Sequence, residues 1–131
     1  MNRKRTVSSY KDLEVYQRSY RLAVEIDTMT KQLPKHEFIE VGQQIRRSAK
    51  AIPAHIAEGY GRKFYPAEYR RFAIYALSSC DETVVHLNFL HDCDSISKDT
   101  YNYFSPAYDI LGKQLNNWLK TIQRFIKSSS G

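Results

Sequence analysis

The sequence predicts an all-α fold, an antiparallel up-and-down four-helix bundle. Four segments repeat apolar residues at steps of three and four, the spacing of one buried helix face. Short polar, Gly- or Pro-containing stretches separate these segments, which lack the period-two alternation of β-strands. The length of 131 residues suits a single domain. We place that domain at residues 10–127, between a flexible basic arm (1–9) and a frayed tail (128–131).

The first helix is predicted from about residue 10 to residue 33. Ser8 or Ser9 is the expected N-cap, because a hydroxyl there accepts hydrogen bonds from the free N–H groups of the first turn. Pro34 ends the helix, since the residue before a proline is disfavoured in the helical region. The predicted inward stripe consists of Leu13, Tyr16, Tyr20, Ala23, Ile26 and Leu33.

The second helix is predicted from His36 or Glu37 to about Glu58, and it contains Pro53. A proline inside a helix removes one backbone hydrogen bond and bends the helix. The apolar stripe continues past the proline, which favours one kinked helix; the alternative is a helix that ends near Ala51 and restarts at Pro53. The stripe consists of Val41, Ile45, Ala49, Ile52 and Ile56.

The third helix should begin at Pro66, because proline suits the first helical position, and reach His91 or Asp92. Ser97 is the expected cap of the fourth helix, in which Pro106 either introduces a kink or marks the true start. The seam of the fourth helix has heptad spacing and consists of Phe104, Tyr108, Leu111, Leu115, Trp118, Ile122 and Phe125.

Composition and motifs argue against several function classes. The sequence has no phosphate-binding, dinucleotide-binding or nucleophile-elbow motif, and no glutamate is followed three residues later by histidine, as in bundle di-iron sites. We therefore predict no catalytic residues, no metal, no cofactor and no small-molecule substrate. No apolar run reaches the roughly 20 residues of a membrane span, so we predict a cytoplasmic protein without a membrane partner.

A basic surface is the main functional signal. The formal net charge is +6, and cations cluster in and after the second helix. Such clusters bind phosphate backbones through charge. We predict nucleic-acid binding, grouped around the turn between the second and third helices, by Arg46, Arg47, Lys50, Arg62, Lys63, Arg70 and Arg71. Four aromatic residues interleave with these cations and either stack on exposed bases or pack into the protein: Tyr60, Phe64, Tyr65 and Tyr69.

Small residues outside the core stripe of the second helix indicate close approach by another protein surface. The sequence also has ten tyrosines, more than one small core needs, and tyrosine is enriched at interfaces. The predicted oligomer interface consists of Ala51, Ala54, His55, Glu58 and Tyr60. The alternative function is an oligomeric scaffold or adaptor for a protein partner, in which Arg46 and Arg47 pair with carboxylates across subunits.

Three motifs resemble those of a known family. They are Asp12-Leu-Glu-Val-Tyr-Gln17, Gln44-Ile-Arg-Arg-Ser48 and Ile52-Pro-Ala-His-Ile-Ala-Glu-Gly59. The sequence is similar over residues 10–125 to bacterial four-helix bundle proteins first recognised as products of intervening sequences in large-subunit ribosomal RNA genes. These are in turn distantly similar to accessory proteins of diversity-generating retroelements. Tyr16, Ala51 and His55 depart from the family pattern, in which tryptophan, serine and asparagine are usual.

The resemblance implies a short antiparallel bundle that assembles into a ring, a homopentamer in known relatives. It also implies a role in binding ribosomal RNA or another nucleic acid. Self-association and nucleic-acid binding are therefore the two partner predictions for this chain.

Overall fold

The structure, a computed structural model, describes residues 6–130, with side chains to residue 128. This range forms four long helices and no β-strand. They are α1 (Glu14–Thr30), α2 (Gln43–Tyr60), α3 (Pro66–Asp92) and α4 (Lys98–Ser130). Each helix packs against the next and α4 also contacts α1, so the helices enclose one core. The predicted all-α, up-and-down four-helix bundle is confirmed.

Contacts between α1 and α4 show how the bundle is closed. The Tyr103 hydroxyl donates to the carboxylate of Glu25, and the amide of Gln114 donates to Glu14 at 3.2 Å. The residue order of these contacts makes the two helices antiparallel. Within residues 6–130, no helix has the combination of length and apolarity that a bilayer span requires.

The start of α1 differs from the prediction. Ser9 is a cap, as expected, but it caps a separate 3-10 turn, Tyr10–Asp12, in which the Asp12 carboxylate accepts the Ser9 N–H at 3.1 Å. Leu13 is then extended (φ −71°, ψ 130°), so α1 begins only at Glu14. Its last turn ends at Thr30, and i→i−3 hydrogen bonds continue to Leu33. The basic arm predicted for residues 1–9 falls largely outside the described residues.

The second helical segment begins earlier than α2 itself. An α-helical turn (Lys35–Glu37) leads into a π-helix (Phe38–Gly42), and α2 follows without a break. The π-helix, with one extra residue per turn, was not predicted. Helix α2 continues through the buried Pro53. The prediction of a single helix through Pro53 is confirmed and the alternative of a break after Ala51 is wrong, while the kink at Pro53 stays a prediction.

Helix ends in the second half of the chain follow local signals. Helix α3 starts at Pro66 and ends at Asp92, as predicted. The Ser97 hydroxyl accepts the Thr100 N–H at 3.1 Å, which confirms it as the cap of α4. Helix α4 runs through Pro106, so the interpretation of Pro106 as the true helix start is wrong. The helix also extends to Ser130, beyond the predicted domain end at residue 127.

The core differs from the predicted stripes at two aromatic residues. Tyr20 is 54% exposed and Phe125 is 60% exposed, although both were predicted to face inward. In α1 the fully buried position goes instead to Ser19, whose hydroxyl is satisfied by donating to the Tyr16 carbonyl at 3.1 Å. The largest fully buried side chains come from all four helices: Ile26, Ile45, Ile52, Ile56, Leu87, Leu90, Tyr108, Leu111 and Leu115.

Candidate nucleic-acid interface

The seven predicted cations fall into two groups. Arg46, Arg47 and Lys50 lie in the first half of α2, whereas the other four surround the turn between α2 and α3. Residues 47 and 62 are 15 positions apart, which is roughly 22 Å along a helix at 1.5 Å per residue. The prediction that all seven group at the turn is therefore wrong for the first three.

Arg46 is built into the fold. Its guanidinium donates to Thr30 Oγ1 at 3.0 Å and to the Phe38 carbonyl at 3.3 Å, and it lies 4.0 Å from the centre of the Phe38 ring. A Cβ atom on Gly42 would lie 3.0 Å from this guanidinium, so the glycine gives Arg46 room to cross the helix surface. Arg46 thus ties the end of α1 to the π-helix, and little of its donor capacity is left for a ligand.

The other two cations of the first group differ: Lys50 has an ion-pair partner, whereas Arg47 has none among the described side chains. Lys50 Nζ lies 2.8 Å from Asp27 Oδ1, and this hydrogen bond lowers the pKa of Asp27. Arg47 is exposed, and within residues 6–130 no hydrogen bond, ion pair or ring contact involves its side chain. Of the first group, Arg47 alone is therefore available to a ligand among the described side chains.

At the turn itself, two cations contact aromatic rings instead of carboxylates. Arg62 donates to the Glu58 carbonyl at 3.0 Å and lies 4.6 Å from the centre of the Phe72 ring. Lys63 donates to the Tyr60 hydroxyl at 2.9 Å. The Glu58 carboxylate lies 3.9 Å from Nδ1 of His55. Among the described side chains, neither Arg62 nor Lys63 forms an ion pair with a carboxylate.

The first turns of α3 add two more cations. Arg71 pairs with Glu68 at 2.6 Å, and this hydrogen bond raises the pKa of Arg71. Both side chains are largely exposed, so the pair contributes little stability and can exchange for another anion. Arg70 is exposed, without a polar partner among the described side chains, and it borders a shallow groove that is completed by Lys127 of α4.

Three basic residues of α4 were missed by the sequence prediction. Lys120, Arg124 and Lys127 line a groove on the C-terminal part of α4, which packs along the start of α3. A signal was present, because residues 111–131 contain four cations and no carboxylate. We call the combined surface the basic end; it consists of Arg62, Lys63, Arg70, Arg71, Lys120, Arg124 and Lys127. In residues 58–71 and 118–131 the only carboxylates are those of Glu58 and Glu68.

An apolar groove of about 500 Å³ opens within the basic end. Among its lining residues, Phe64 of the turn is 83% exposed and Phe125 of α4 is 60% exposed. Tyr69 and Trp118, which are half-buried, have ring centres 5.7 Å apart in an edge-to-face arrangement. We call this the aromatic groove; its lining consists of Lys63, Phe64, Pro66, Tyr69, Trp118, Thr121, Ile122 and Phe125.

Of the four aromatic residues that interleave with the cations in the sequence, two are exposed and two are half-buried. Phe64 and Tyr65 are exposed, which is the arrangement that base stacking needs. Tyr60 and Tyr69 are half-buried and pack into the protein. Burial raises the pKa of the Tyr69 hydroxyl.

Four of the five predicted interface residues share one face of α2. Ala51, Ala54, His55 and Glu58 follow helical spacing and are half-buried or exposed. The His55 ring lies beside aromatic rings of α3, and its Nδ1 is buried without a hydrogen-bond partner. Tyr60 lies on another face, where it accepts the hydrogen bond from the turn lysine.

The histidines form simple pairs. His86 Nε2 lies 3.1 Å from Glu82, and His91 Nδ1 lies 2.9 Å from Asp92. Among the side chains that the structure describes, no three His, Cys, Asp or Glu groups are close enough to hold a metal ion.

Comparisons with known proteins agree with this architecture. A crystal structure of a protein of unknown function from the S23 ribosomal protein family of Bacteroides thetaiotaomicron is similar to this chain. The TM-score is 0.74 at 25% identity, over 81% of this chain and 95% of that one. No protein of curated function matches the sequence significantly. The family model described as 23S rRNA-intervening sequence protein matches residues 11–117. The chain therefore belongs to the 23S rRNA-intervening sequence protein family.

Proposed function

We propose that this protein is a non-enzymatic, self-associating helical bundle that binds nucleic acid, in particular ribosomal or other structured RNA, through charge and shape. The contact surface is the basic end. The structure contains none of the recognised base-reading arrangements within residues 6–130, so affinity comes from phosphate contacts and sequence preference is weak. A cytoplasmic location follows from this role and stays a prediction.

The observation that carries the proposal is the excess of positive charge at one end of the bundle. Residues 58–71 and 118–131 contain seven cations and two carboxylates, and Arg71 pairs with one of these carboxylates, Glu68. Arg62 and Lys63 rest on rings and a carbonyl, which hold the side chains in place without neutralising them. Positioned charges of this kind suit the phosphates of a folded RNA.

Self-association is supported by the outer surface of α2 and α3. Ala51 and Ala54 offer little bulk on this face, so another helix can approach closely there. Next to them, Ile74 and Tyr75 of α3 are 36% and 40% exposed. Exposed apolar side chains beside a flat helix face are typical of protein interfaces. Repetition of the basic end in an oligomer would add weak phosphate contacts by multivalency.

The proposal is tested by measuring the binding of a labelled RNA hairpin and of duplex DNA. Fluorescence anisotropy at about 50 and 200 mM salt gives the affinities and their salt dependence. The double variant Lys120→Gln/Arg124→Gln should weaken binding and reduce the logarithmic salt slope by about two, roughly one per phosphate contact. The matched control Lys35→Gln/Lys98→Gln removes two exposed cations from the other end and should bind like the wild type. Absence of binding, salt-independent binding, or equal effects of the two variants would refute the role of the basic end.

Sedimentation velocity at micromolar concentration tests self-association separately. Ala54→Glu should lower the sedimenting mass, whereas Ala67→Glu, at an exposed alanine of α3, should leave it unchanged. A wild-type protein that sediments as a single protomer contradicts self-association.

The competing function is a scaffold for a protein partner. A pull-down from native lysate, with and without nuclease, separates it from RNA binding: partners that are lost after nuclease treatment were held through nucleic acid. Partners that persist, together with absent RNA affinity, would favour the scaffold.

A further inference from the structure

We propose that the aromatic groove binds unpaired nucleobases of RNA by stacking, so that the basic end prefers single-stranded or looped RNA to a continuous duplex. This inference rests on the proposed function and adds the form of RNA that is bound. In a duplex the base faces are stacked on one another, whereas unpaired bases can turn outward onto aromatic rings.

The geometry of the groove is the first argument. Phe64 of the turn and Phe125 of α4 are 83% and 60% exposed, and they line the groove together with Trp118 and Tyr69. The volume of about 500 Å³ is within the range of roughly 300–1,000 Å³ that is typical of sites for small aromatic groups. Two exposed phenylalanines that line one apolar groove form a contiguous apolar patch, and patches of this kind mark binding surfaces.

The charge around the groove identifies its occupant. Lys63 lines the groove, with Nζ 5.5 Å from the centre of the Phe64 ring. Lys120 and Arg124 belong to the same part of α4, but by helical spacing they lie on a different face from Trp118 and Phe125 and line a separate shallow groove. A second copy of this basic surface would bring like charges together across an apolar contact. A nucleotide supplies both an aromatic face for the rings and a phosphate for the cations.

Half of the groove lies outside the part of the chain that the family model matches. That match ends at residue 117, whereas Trp118, Thr121, Ile122 and Phe125 form the α4 wall. The α4 wall of the groove therefore lies outside the match that defines the family, whereas the wall formed by residues 63–69 lies within it.

Trp118 provides a direct readout, because it is the single tryptophan of the sequence and lines the groove. Titration with a 12-nucleotide single-stranded RNA should quench its fluorescence. The same strand with abasic sites at its centre keeps the phosphates and should produce little quenching. Affinity for both strands and for a blunt RNA duplex is measured in parallel by anisotropy at one salt concentration.

The double variant Phe64→Leu/Phe125→Leu should weaken binding of the unmodified strand by roughly 5- to 100-fold, the range of losses that follow removal of stacking rings. Duplex binding should change less than about two-fold, because the cations are retained. The matched control Phe89→Leu changes a phenylalanine that is 57% exposed near the other end of α3 and should behave as wild type. Circular dichroism melting checks that all variants fold.

The outcomes separate the inference from the proposed function. If the wild type binds no RNA of any form, both the proposed function and the stacking inference are refuted. If it binds the duplex and the abasic strand as tightly as the unmodified strand, only the inference falls. If the Phe64→Leu/Phe125→Leu variant sediments with a smaller mass than the wild type but binds the unmodified strand equally well, a second copy of the chain occupies the groove and the inference is overturned.

Discussion

Replacing Arg46 with methionine tests whether this predicted RNA-binding residue is in fact part of the fold. The substitution keeps an unbranched side chain and good helix propensity, and it removes the guanidinium. Two hydrogen bonds are lost, to Thr30 Oγ1 at 3.0 Å and to the Phe38 carbonyl at 3.3 Å, together with the stacking on the Phe38 ring. The hydrogen bonds and the ring contact lie between three parts of the chain, α1, the π-helix and α2.

The expected destabilisation follows from these contacts. A hydrogen bond from a charged donor contributes about 1.5 kcal/mol at the low end, and a partly exposed cation–ring contact about 0.5–1 kcal/mol. The 3.3 Å bond is long, and the Thr30 hydroxyl keeps its own bond to the Asp27 carbonyl at 2.8 Å, so no hydroxyl is orphaned. We therefore expect a loss of about 2 kcal/mol in the free energy of unfolding, or roughly 8 °C in Tm for a chain of this size.

The adjacent residue provides the control. Arg47→Met removes the same charge from an exposed side chain and should change the free energy of unfolding by less than about 0.5 kcal/mol. Urea and thermal unfolding are compared at equal protein concentration, because self-association makes Tm depend on concentration. Affinity for the RNA hairpin should stay within about two-fold of wild type in both variants, since neither residue belongs to the basic end. An Arg46→Met variant with wild-type stability and weakened RNA binding would refute this reasoning.

Three further predictions concern local features of the bundle. Gly59→Ala should lower the free energy of unfolding by about 1–2 kcal/mol in urea titrations, because the added Cβ would lie 2.9 Å from a Cβ atom of α3. Native thiol titration should modify the exposed Cys93 and spare Cys80, since burial raises the pKa of the Cys80 thiol to about 12; equal reactivity would contradict its burial. Because the pKa of Asp27 is lowered in the folded state, its carboxylate stabilises the fold above the unfolded-state pKa, and this stabilisation is lost as the pH falls through the folded-state pKa. In Lys50→Met, Tm should therefore fall less steeply with decreasing pH below about 4 than in the wild type.

Features that depend on a few neighbouring residues were predictable from the sequence. Pro66 and Ser97 set the starts of α3 and α4 through effects that act within one turn. The continuity of α2 through Pro53 followed from the unbroken apolar stripe. Apolar residues keep the same helical spacing on both sides of Pro53, which requires one continuous helix.

Features that depend on competition between local interactions were harder to predict. Ser8 and Ser9 both offer caps, and the Asp12 carboxylate accepts from both backbone N–H groups, which closes a short turn and leaves Leu13 extended. Periodicity alone does not distinguish that turn from the first turn of α1. Tyr20 was predicted to be buried because it is apolar, yet Ser19 takes the buried position by bonding its hydroxyl to the helix backbone.

The candidate site was only partly predictable, because the role of a cation depends on what lies opposite it. Arg46 and Arg47 are adjacent in sequence, and only the folded chain shows that one spans two elements while the other projects into solvent. The separation between Arg47 and Arg62 could have been calculated from helix rise alone. Lys120 and Arg124 were not predicted because the apolar seam of their helix carries no information about its charged face, although residues 111–131 contain no Asp or Glu.

The distribution of charge along the chain explains why the basic end is the stronger candidate. Arg3, Lys4 and Arg5 precede the described residues, and residues 111–131 carry four cations without a carboxylate. These seven charges exceed the net charge of +6, so residues 6–110 carry one more carboxylate than cations. Helix α1 begins beside Gln114, and α4 continues past it along the aromatic groove. The net positive charge of the protein thus comes from the N-terminal and C-terminal parts of its sequence. A polyanion attracted by this charge would contact the C-terminal half of α4 before the first half of α2.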